Sequence, residues 1–309
     1  MSGDRVGVLL MAYGTPRDRD DIETYYTDIR RGRPPTAEQL ADLVRRYDAV
    51  LTGARNDAEG GTFPLRAITD AQVNAIRSAL AARGDADYVV TLGTKHSVPA
   101  VEDGVHALAA EDVDRIVGLV LAPHYSRFSV GEYADRAAKA GAEHGLAVDT
   151  VESWHLLPAY VDFVTSAVRD ALARVPESSE VVFTAHSLPE RILATGDPYP
   201  RQLADTAEAV ATRLQLSTWS VGWQSAGRTP EPWLGPDVLE IVRSRAADGA
   251  AGLVVSACGF VADHLEVAYD LDIEASAVAM EVGLPFARTA SVNADPAVMI
   301  ALADVIAGR

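Results

Sequence analysis

Val6-Gly7-Val8-Leu9-Leu10-Met11-Ala12, followed at once by Tyr13-Gly14, is the stretch whose reading decides the fold. An uncharged run of this length is too short to span a bilayer, which takes about 20 apolar residues. It is also too uniformly apolar for a strand with one wet face. It reads as a first strand buried on both faces, the pattern of a parallel sheet. Further runs rich in Val, Leu and Ile recur at 88–92, 116–122, 148–151, 180–185, 218–222 and 252–257. Segments of helical period lie between them, at 21–31, 37–50, 69–82, 131–143, 159–174, 200–214, 236–246 and 263–280. Buried strands alternating with helices define an α/β chain.

The rhythm runs twice, with a break near 151–158. This predicts two Rossmann-like lobes, each a parallel sheet flanked by helices, with a cleft between them. A chain of 309 residues and 32.8 kDa supports two such domains. Ligands of open parallel sheets sit beyond the carboxyl ends of the strands. Tyr13, His96, His124 and His186 stand at such ends. The formal charge of −17 and pI of about 4.7 repel nucleic acid and anionic membranes and attract cations. With no basic stretch and cleavage site at the start, and no run long enough to span, the expectation is a cytoplasmic protein without an integral membrane segment. Cys258 is the sole cysteine and reads as a small core residue. It excludes an internal disulfide and a four-cysteine zinc or iron–sulfur site in one chain.

The sharpest chemical feature is Gly259-Phe-Val-Ala-Asp-His-Leu-Glu266-Val-Ala-Tyr-Asp270-Leu-Asp-Ile-Glu274. Glu266, Asp270 and Glu274 recur every four residues and share one helix face, where like charges repel. No Lys or Arg occurs between Gly259 and Ala287. The row is either a solvated acidic face or a set of half-buried carboxylates that call for a cation. The interval would align better on a locally widened helix, as in π-bulges at functional sites. At Thr184-Ala-His186-Ser-Leu-Pro189, a histidine at a strand end suits proton abstraction, metal ligation or a structural role. In Ile29-Arg30-Arg31-Gly32-Arg33 the arginines are either a clamp for carboxylate or phosphate, or the basic end of a helix before Gly32 and Pro34. No glycine fingerprint follows the first strand and no Walker loop occurs, so nucleotide binding has no support.

Read in order, these segments resemble the ferrochelatases. Leu10-Met-Ala-Tyr13-Gly-Thr-Pro16, Ile29-Arg-Arg-Gly-Arg33, Gly93-Thr-Lys-His96, Ala122-Pro-His-Tyr-Ser-Arg-Phe-Ser129, Thr184-Ala-His186-Ser-Leu-Pro189, Gly222-Trp-Gln-Ser225, Pro232-Trp-Leu-Gly-Pro236 and the Glu266 segment are collinear over nearly the whole chain. The resemblance is to the soluble, monomeric enzymes of Gram-positive bacteria, which metallate coproporphyrin III. It implies two lobes around a porphyrin cleft, residues 1–151 plus about 288–309 forming the first and 152–287 the second. It implies that His186 and Glu266 bind the metal and abstract protons, that Tyr13 faces the metal from the opposite side of the ring, and that Asp270 and Glu274 hold a second divalent cation or relay metal and protons. Ile29, Arg30, Arg31, Lys95, His96, Ser225 and Trp233 correspond to porphyrin contacts. Ferrous iron is then a substrate rather than a tightly bound cofactor, and a haem-handling partner receives the product transiently. The single cysteine departs from relatives that carry an iron–sulfur cluster.

Gly60-Gly-Thr-Phe63-Pro-Leu65 places a phenylalanine where relatives have serine, after an insertion at 52–59; in relatives that loop lies near the porphyrin edge, so it bears on which porphyrin is used. A cobalt or nickel chelatase acting on a sirohydrochlorin-type ring is the near alternative, set against by the Arg30–Arg31 and Trp233 blocks. A non-catalytic haem or metal carrier and a hydride-transferring enzyme are the others.

Overall fold

The structure is a computed structural model and describes residues 4–52, 63–227 and 229–309. Two compact units emerge. The first comprises the chain to Ala122, Arg127–Glu152 and Asn293–Arg309; the second comprises Pro123–Ser126 and Ser153–Val292.

The first unit runs β1 (Arg5–Ala12), α1 (Ile22–Ile29), α2 (Ala37–Thr52), α3 (Pro64–Arg83), β2 (Asp87–Thr94), α4 (Val101–Ala109), β3 (Arg115–Val120), α5 (Val130–Glu143) and β4 (Val148–Val151). Its sheet is parallel throughout, in the order β2-β1-β3-β4. β1 is central and buried from Val6 to Met11, which is why its sequence is apolar without alternation. Leu9, Leu10 and Met11 are fully buried, each contributing about 1.5–3 kcal/mol by removal from water. The C-terminal helix Pro296–Ala307 packs on α3, where Gln72 Nε2 donates to the Asn293 carbonyl at 2.8 Å and Arg83 pairs with Asp304. Helix α4 was not legible from its sequence, Val-Glu-Asp-Gly-Val-His-Ala-Leu-Ala, because Gly104 lowers its helix propensity. That glycine is what lets the helix seat: a Cβ there would come 2.6 Å from Leu9 Cδ1 and 2.9 Å from the Leu92 carbonyl oxygen.

The second unit runs α6 (Pro158–Leu172), β5 (Glu180–His186), α7 (Arg191–Ala194), α8 (Tyr199–Leu214), β6 (Trp219–Gln224), α9 (Val238–Ala247), β7 (Leu253–Ser256), α10 (Leu265–Val267), a π-helical stretch Ala268–Ala275, α11 (Ser276–Glu281) and β8 (Phe286–Arg288). Its sheet is again all parallel, in the order β6-β5-β7-β8. Substituting β5 for β1, β6 for β2 and so on reproduces the first order, so each unit carries the same topology.

Sequence periodicity and structure differ in places. The helix expected at 263–280 starts only at Leu265 and is α-wound, then π-wound, then α-wound again. The widening suggested by the carboxylate interval is therefore present. The helix expected from 236 begins at Val238, capped by the Asp237 side chain accepting from the Leu239 N–H at 2.9 Å. The strand expected at 218–222 continues to Gln224 because register with β5 carries it to His186. β8 has no counterpart among the strands expected from sequence, because three residues carry no usable period. Of the expected insertion and altered loop, residues 53–62 lie outside the described residues. Phe63 is buried and packs tilted against Tyr47 with ring centroids 4.3 Å apart. Among the described residues no helix is long and apolar enough to cross a membrane.

Candidate functional site

In each unit the strand order reverses beside the central strand, so a site is expected at the carboxyl ends of β1 and β3 in the first and β5 and β7 in the second. The site residues singled out by sequence lie at or after the carboxyl ends of β1, β2, β5, β6 and β7, except Ile29, Arg30 and Arg31, which end α1.

In the first unit Tyr13 follows β1 and is 44% exposed. The chain leaving β2 stays paired with the chain leaving β1, the Lys95 and His96 amides donating to the Ala12 and Tyr13 carbonyls at 2.9 and 3.0 Å. This brings the His96 ring edge-on to Tyr13, centroids 4.7 Å apart, and the His96 Nδ1 2.7 Å from Asp28 Oδ2. Burial pushes the His96 imidazole down, against the opposing pull of Asp28. Lys95 pairs with Glu132 and lies over the Tyr133 ring at 5.4 Å. Ile29 closes α1, and Arg30 caps it, its guanidinium over the Tyr26 ring at 5.6 Å. Arg31 has φ 58° and Gly32 φ 78°, with the Gly32 amide returning to the Thr27 carbonyl at 2.9 Å. The arginines therefore do terminate a helix, yet the Arg31 side chain is 85% exposed, 3.9 Å from Glu132. It has freedom to meet an anion.

The second unit is tighter. His186 ends β5, and its Nδ1 lies 2.5 Å from the Ser187 carbonyl oxygen. A carbonyl only accepts, so Nδ1 carries the hydrogen and the neutral ring keeps its lone pair on Nε2. That Nε2 lies 3.6 Å from Glu266 Oε1. His264 repeats the arrangement on the other oxygen: its Nδ1 is 3.0 Å from the Ala262 carbonyl oxygen and its Nε2 is 3.5 Å from Glu266 Oε2. Each Nε2 thus faces one oxygen of the same carboxylate, a contact that is attractive only when a proton or a cation lies between them. Burial pushes Glu266 up, but the two histidines outweigh it and hold the carboxyl below its usual range. Burial likewise lowers His186, and Glu266 outweighs this and raises it.

Several local features fix this geometry. Gly259 lets the chain after β7 lie on β5, since a Cβ there would stand 2.2 Å from Ala185 Cβ. Fully buried Gln224 accepts from the Thr184 hydroxyl at 2.9 Å and donates to the Glu266 carbonyl at 2.9 Å, tying the carboxylate segment to the sheet. The Tyr199 hydroxyl donates to the His186 carbonyl at 3.1 Å. Ser225, with φ 60°, donates to Asp270, which is buried. Trp233 lies with its ring centroid 6.5 Å from that of His186, and Gly227 leaves it room. Glu274 is half-buried and, among the described residues, pairs with no basic side chain.

Sequence reasoning missed the roles of His264 and Gln224. His264 sits two residues before Glu266, a spacing that could have drawn attention to it; Gln224 gave no signal, since its role depends on strand register. Cys258 is buried and its thiol is pushed up to about 12 by burial, which leaves it inert. Among the described residues no group of three or more His, Cys, Asp or Glu side chains is gathered closely enough to hold a metal ion. The carboxylates are strung along the helix rather than gathered into a cage.

A family model described as Ferrochelatase matches residues 5–309. The chain is 42% identical to the coproporphyrin III ferrochelatase of Geobacillus sp. (strain WCH70), covering 100% of this chain and 99% of that protein. It is 44% identical to the coproporphyrin III ferrochelatase of Geobacillus thermodenitrificans, covering 100% and 97%. Among solved structures, SirB from Bacillus subtilis with Fe3+ superimposes with a TM-score of 0.59 over 97% of this chain and 93% of that one, at 10% identity. CbiX, described as the terminal enzyme for biosynthesis of sirohaem in denitrifying bacteria, gives 0.55 over 98% of each chain at 14% identity. At such identities the solved structures speak for the fold alone.

Proposed function

This chain belongs to the ferrochelatase family, and we propose that it inserts ferrous iron into a porphyrin in haem biosynthesis, coproporphyrin III in preference to protoporphyrin IX, with release of two protons. The observation that carries this reading is the pair of imidazole Nε2 atoms that flank the Glu266 carboxylate, at 3.6 and 3.5 Å. A porphyrin must lose two pyrrole protons as the metal enters. His186, with Nδ1 engaged, accepts a proton at Nε2, and the adjacent carboxylate favours the imidazolium so formed. Glu266 exchanges water for protein on the incoming ferrous ion, a substrate that must bind loosely enough to leave for the ring.

In this reading Asp270 and Glu274 extend the carboxylate track, receiving a second divalent cation or passing metal and protons along. Tyr13 serves as a metal contact. Arg30 and Arg31 meet propionates, and Ile29, Lys95, His96, Ser225 and Trp233 contact the ring or its edge. The protein is assigned to the cytoplasm as a monomer without an iron–sulfur cluster, passing its product transiently to a haem-handling partner.

The test is anaerobic absorbance spectroscopy with ferrous iron and, separately, coproporphyrin III and protoporphyrin IX. Loss of the free-base bands is expected with coproporphyrin III, slowed by about 10²–10⁴-fold in His186→Ala and Glu266→Ala. Porphyrin binding without metallation by the wild type would overturn the reading in favour of a carrier.

A further inference from the structure

The five carboxylates between Asp263 and Glu274 are not treated alike. Arg288, at the end of β8, forks onto Asp272, Nε to Oδ1 at 2.7 Å and Nη2 to Oδ2 at 2.8 Å. Its third nitrogen, Nη1, lies 3.0 Å from Asp263 Oδ1 and donates to the Thr289 carbonyl at 3.0 Å. The Ser291 hydroxyl donates to the same Asp263 oxygen at 2.9 Å, and Arg174 donates to the Arg288 carbonyl. One guanidinium therefore grips the segment twice: before its first helical turn, at Asp263, and within the π-wound turns, at Asp272. Glu266 and Asp270 lie between the two grips along the chain.

Stability is a poor explanation for this network. The Arg288 side chain is 9% exposed while Asp272 is 38% exposed and could be served by water. Burying a guanidinium costs several kcal/mol in desolvation, and buried ion pairs commonly return little net stability. What such a pair does supply is registry, since a planar fork accepts a carboxylate in one orientation. Registry matters here because π-winding is rarer than α-winding and persists only where the surroundings impose it. In an α-helix a slip of one residue turns every side chain by about 100°, which would carry Glu266 away from His186 and Asp270 away from Ser225.

We propose that Arg288 is a positioning residue for metal delivery: by holding Asp263 and Asp272 it sets the rotation of the π-wound segment and so aims Glu266 and Asp270. It contacts neither metal nor porphyrin and acts through these carboxylates. This rests on the chelatase reading, which it deepens by naming a determinant of ferrous-iron handling.

The experiment compares Arg288→Met, Arg288→Lys and Asp272→Asn with the wild type. Initial rates with coproporphyrin III are taken while iron and porphyrin are varied separately, and Co2+ binding to the porphyrin-free protein is followed by calorimetry. For Arg288→Met the KM for iron and the Co2+ Kd should rise about tenfold or more, with the porphyrin KM within about twofold. Arg288→Lys should recover part of the loss, because an ammonium can serve one carboxylate but not fork onto it. Asp272→Asn should lie in the same direction, and its effect should largely vanish when Arg288 is already Met. If Arg288→Met does not fold, Arg288→Lys and Asp272→Asn carry the test. Unchanged iron KM and Co2+ Kd in folded variants would overturn the proposal, as would iron and porphyrin KM rising together. A wild type that fails to metallate porphyrin overturns the functional reading instead, and the Co2+ titrations still decide the role of Arg288.

Discussion

The two units share one topology and place different chemistry at corresponding positions. Tyr13 follows β1 as His186 ends β5; Lys95 and His96 follow β2 as Ser225 follows β6; the segment after β7 carries Glu266. Yet Tyr13 is 44% exposed and Arg31 is an exposed helix-end side chain 3.9 Å from Glu132, whereas His186 has its tautomer set by the Ser187 carbonyl and Glu266 is flanked by two imidazoles. A duplicated scaffold fixes where functional groups emerge. How rigidly each is held depends on loops and partners; under the proposed function the loosely held groups of the first unit bind porphyrin and the tightly held ones of the second handle protons and metal.

The largest expected effect breaks that division directly. Glu266→Gln keeps the shape of the side chain and removes its charge. It should lower kcat for iron insertion by about 10²-fold or more and leave the porphyrin KM nearly unchanged, whereas Arg31→Ala should do the reverse. Steady-state kinetics on both variants check the contrast; equal effects on kcat would erase it.

The second expectation concerns pH. His124 is buried, its Nε2 2.9 Å from the Thr206 hydroxyl oxygen, and among the described residues its Nδ1 has no hydrogen-bond partner. Burial lowers its pKa from 6.5 to about 3, with the neighbouring His155 adding to the effect. Because the folded value lies below the unfolded one, the unfolded chain binds the proton first as pH falls. The stability held above pH 6.5 is therefore lost progressively down toward pH 3. Between pH 7 and pH 5 this group alone should remove about 2 kcal/mol, read as a fall in denaturant midpoint that His124→Asn diminishes. A midpoint equally steep in that variant would assign the loss elsewhere.

A smaller effect sharpens the comparison within the second unit. In Gly227→Ala the new methyl would stand 2.3 Å from the Trp233 ring, displacing it at a cost of about 1–3 kcal/mol. Altered tryptophan fluorescence and a raised porphyrin KM are expected, with iron KM unchanged. The least effect on stability should come from Arg31→Ala, within about 0.5 kcal/mol by thermal unfolding, because its side chain is exposed; a larger fall would make Arg31 a structural cap rather than a binding group.

The sequence by itself determined the α/β class, the doubled rhythm and the positions of Tyr13, His186 and the Glu266 row, because buried parallel strands are apolar without alternation and a four-residue interval marks one helix face. It also hinted at the widened helix. What it could not carry was pairing between distant segments. The row seemed to lack a basic partner because no Lys or Arg is near in the chain, yet Arg288 returns on a three-residue strand to engage Asp263 and Asp272. Gln224 reaches Glu266 only through the β5–β6 register, and the arginines after Ile29 end a helix while Arg31 stays an exposed cation. Local period reports burial within one element; which side chains meet, and which nitrogen of His186 is left to accept a proton, is decided by contacts that only the packed sheet and its loops create.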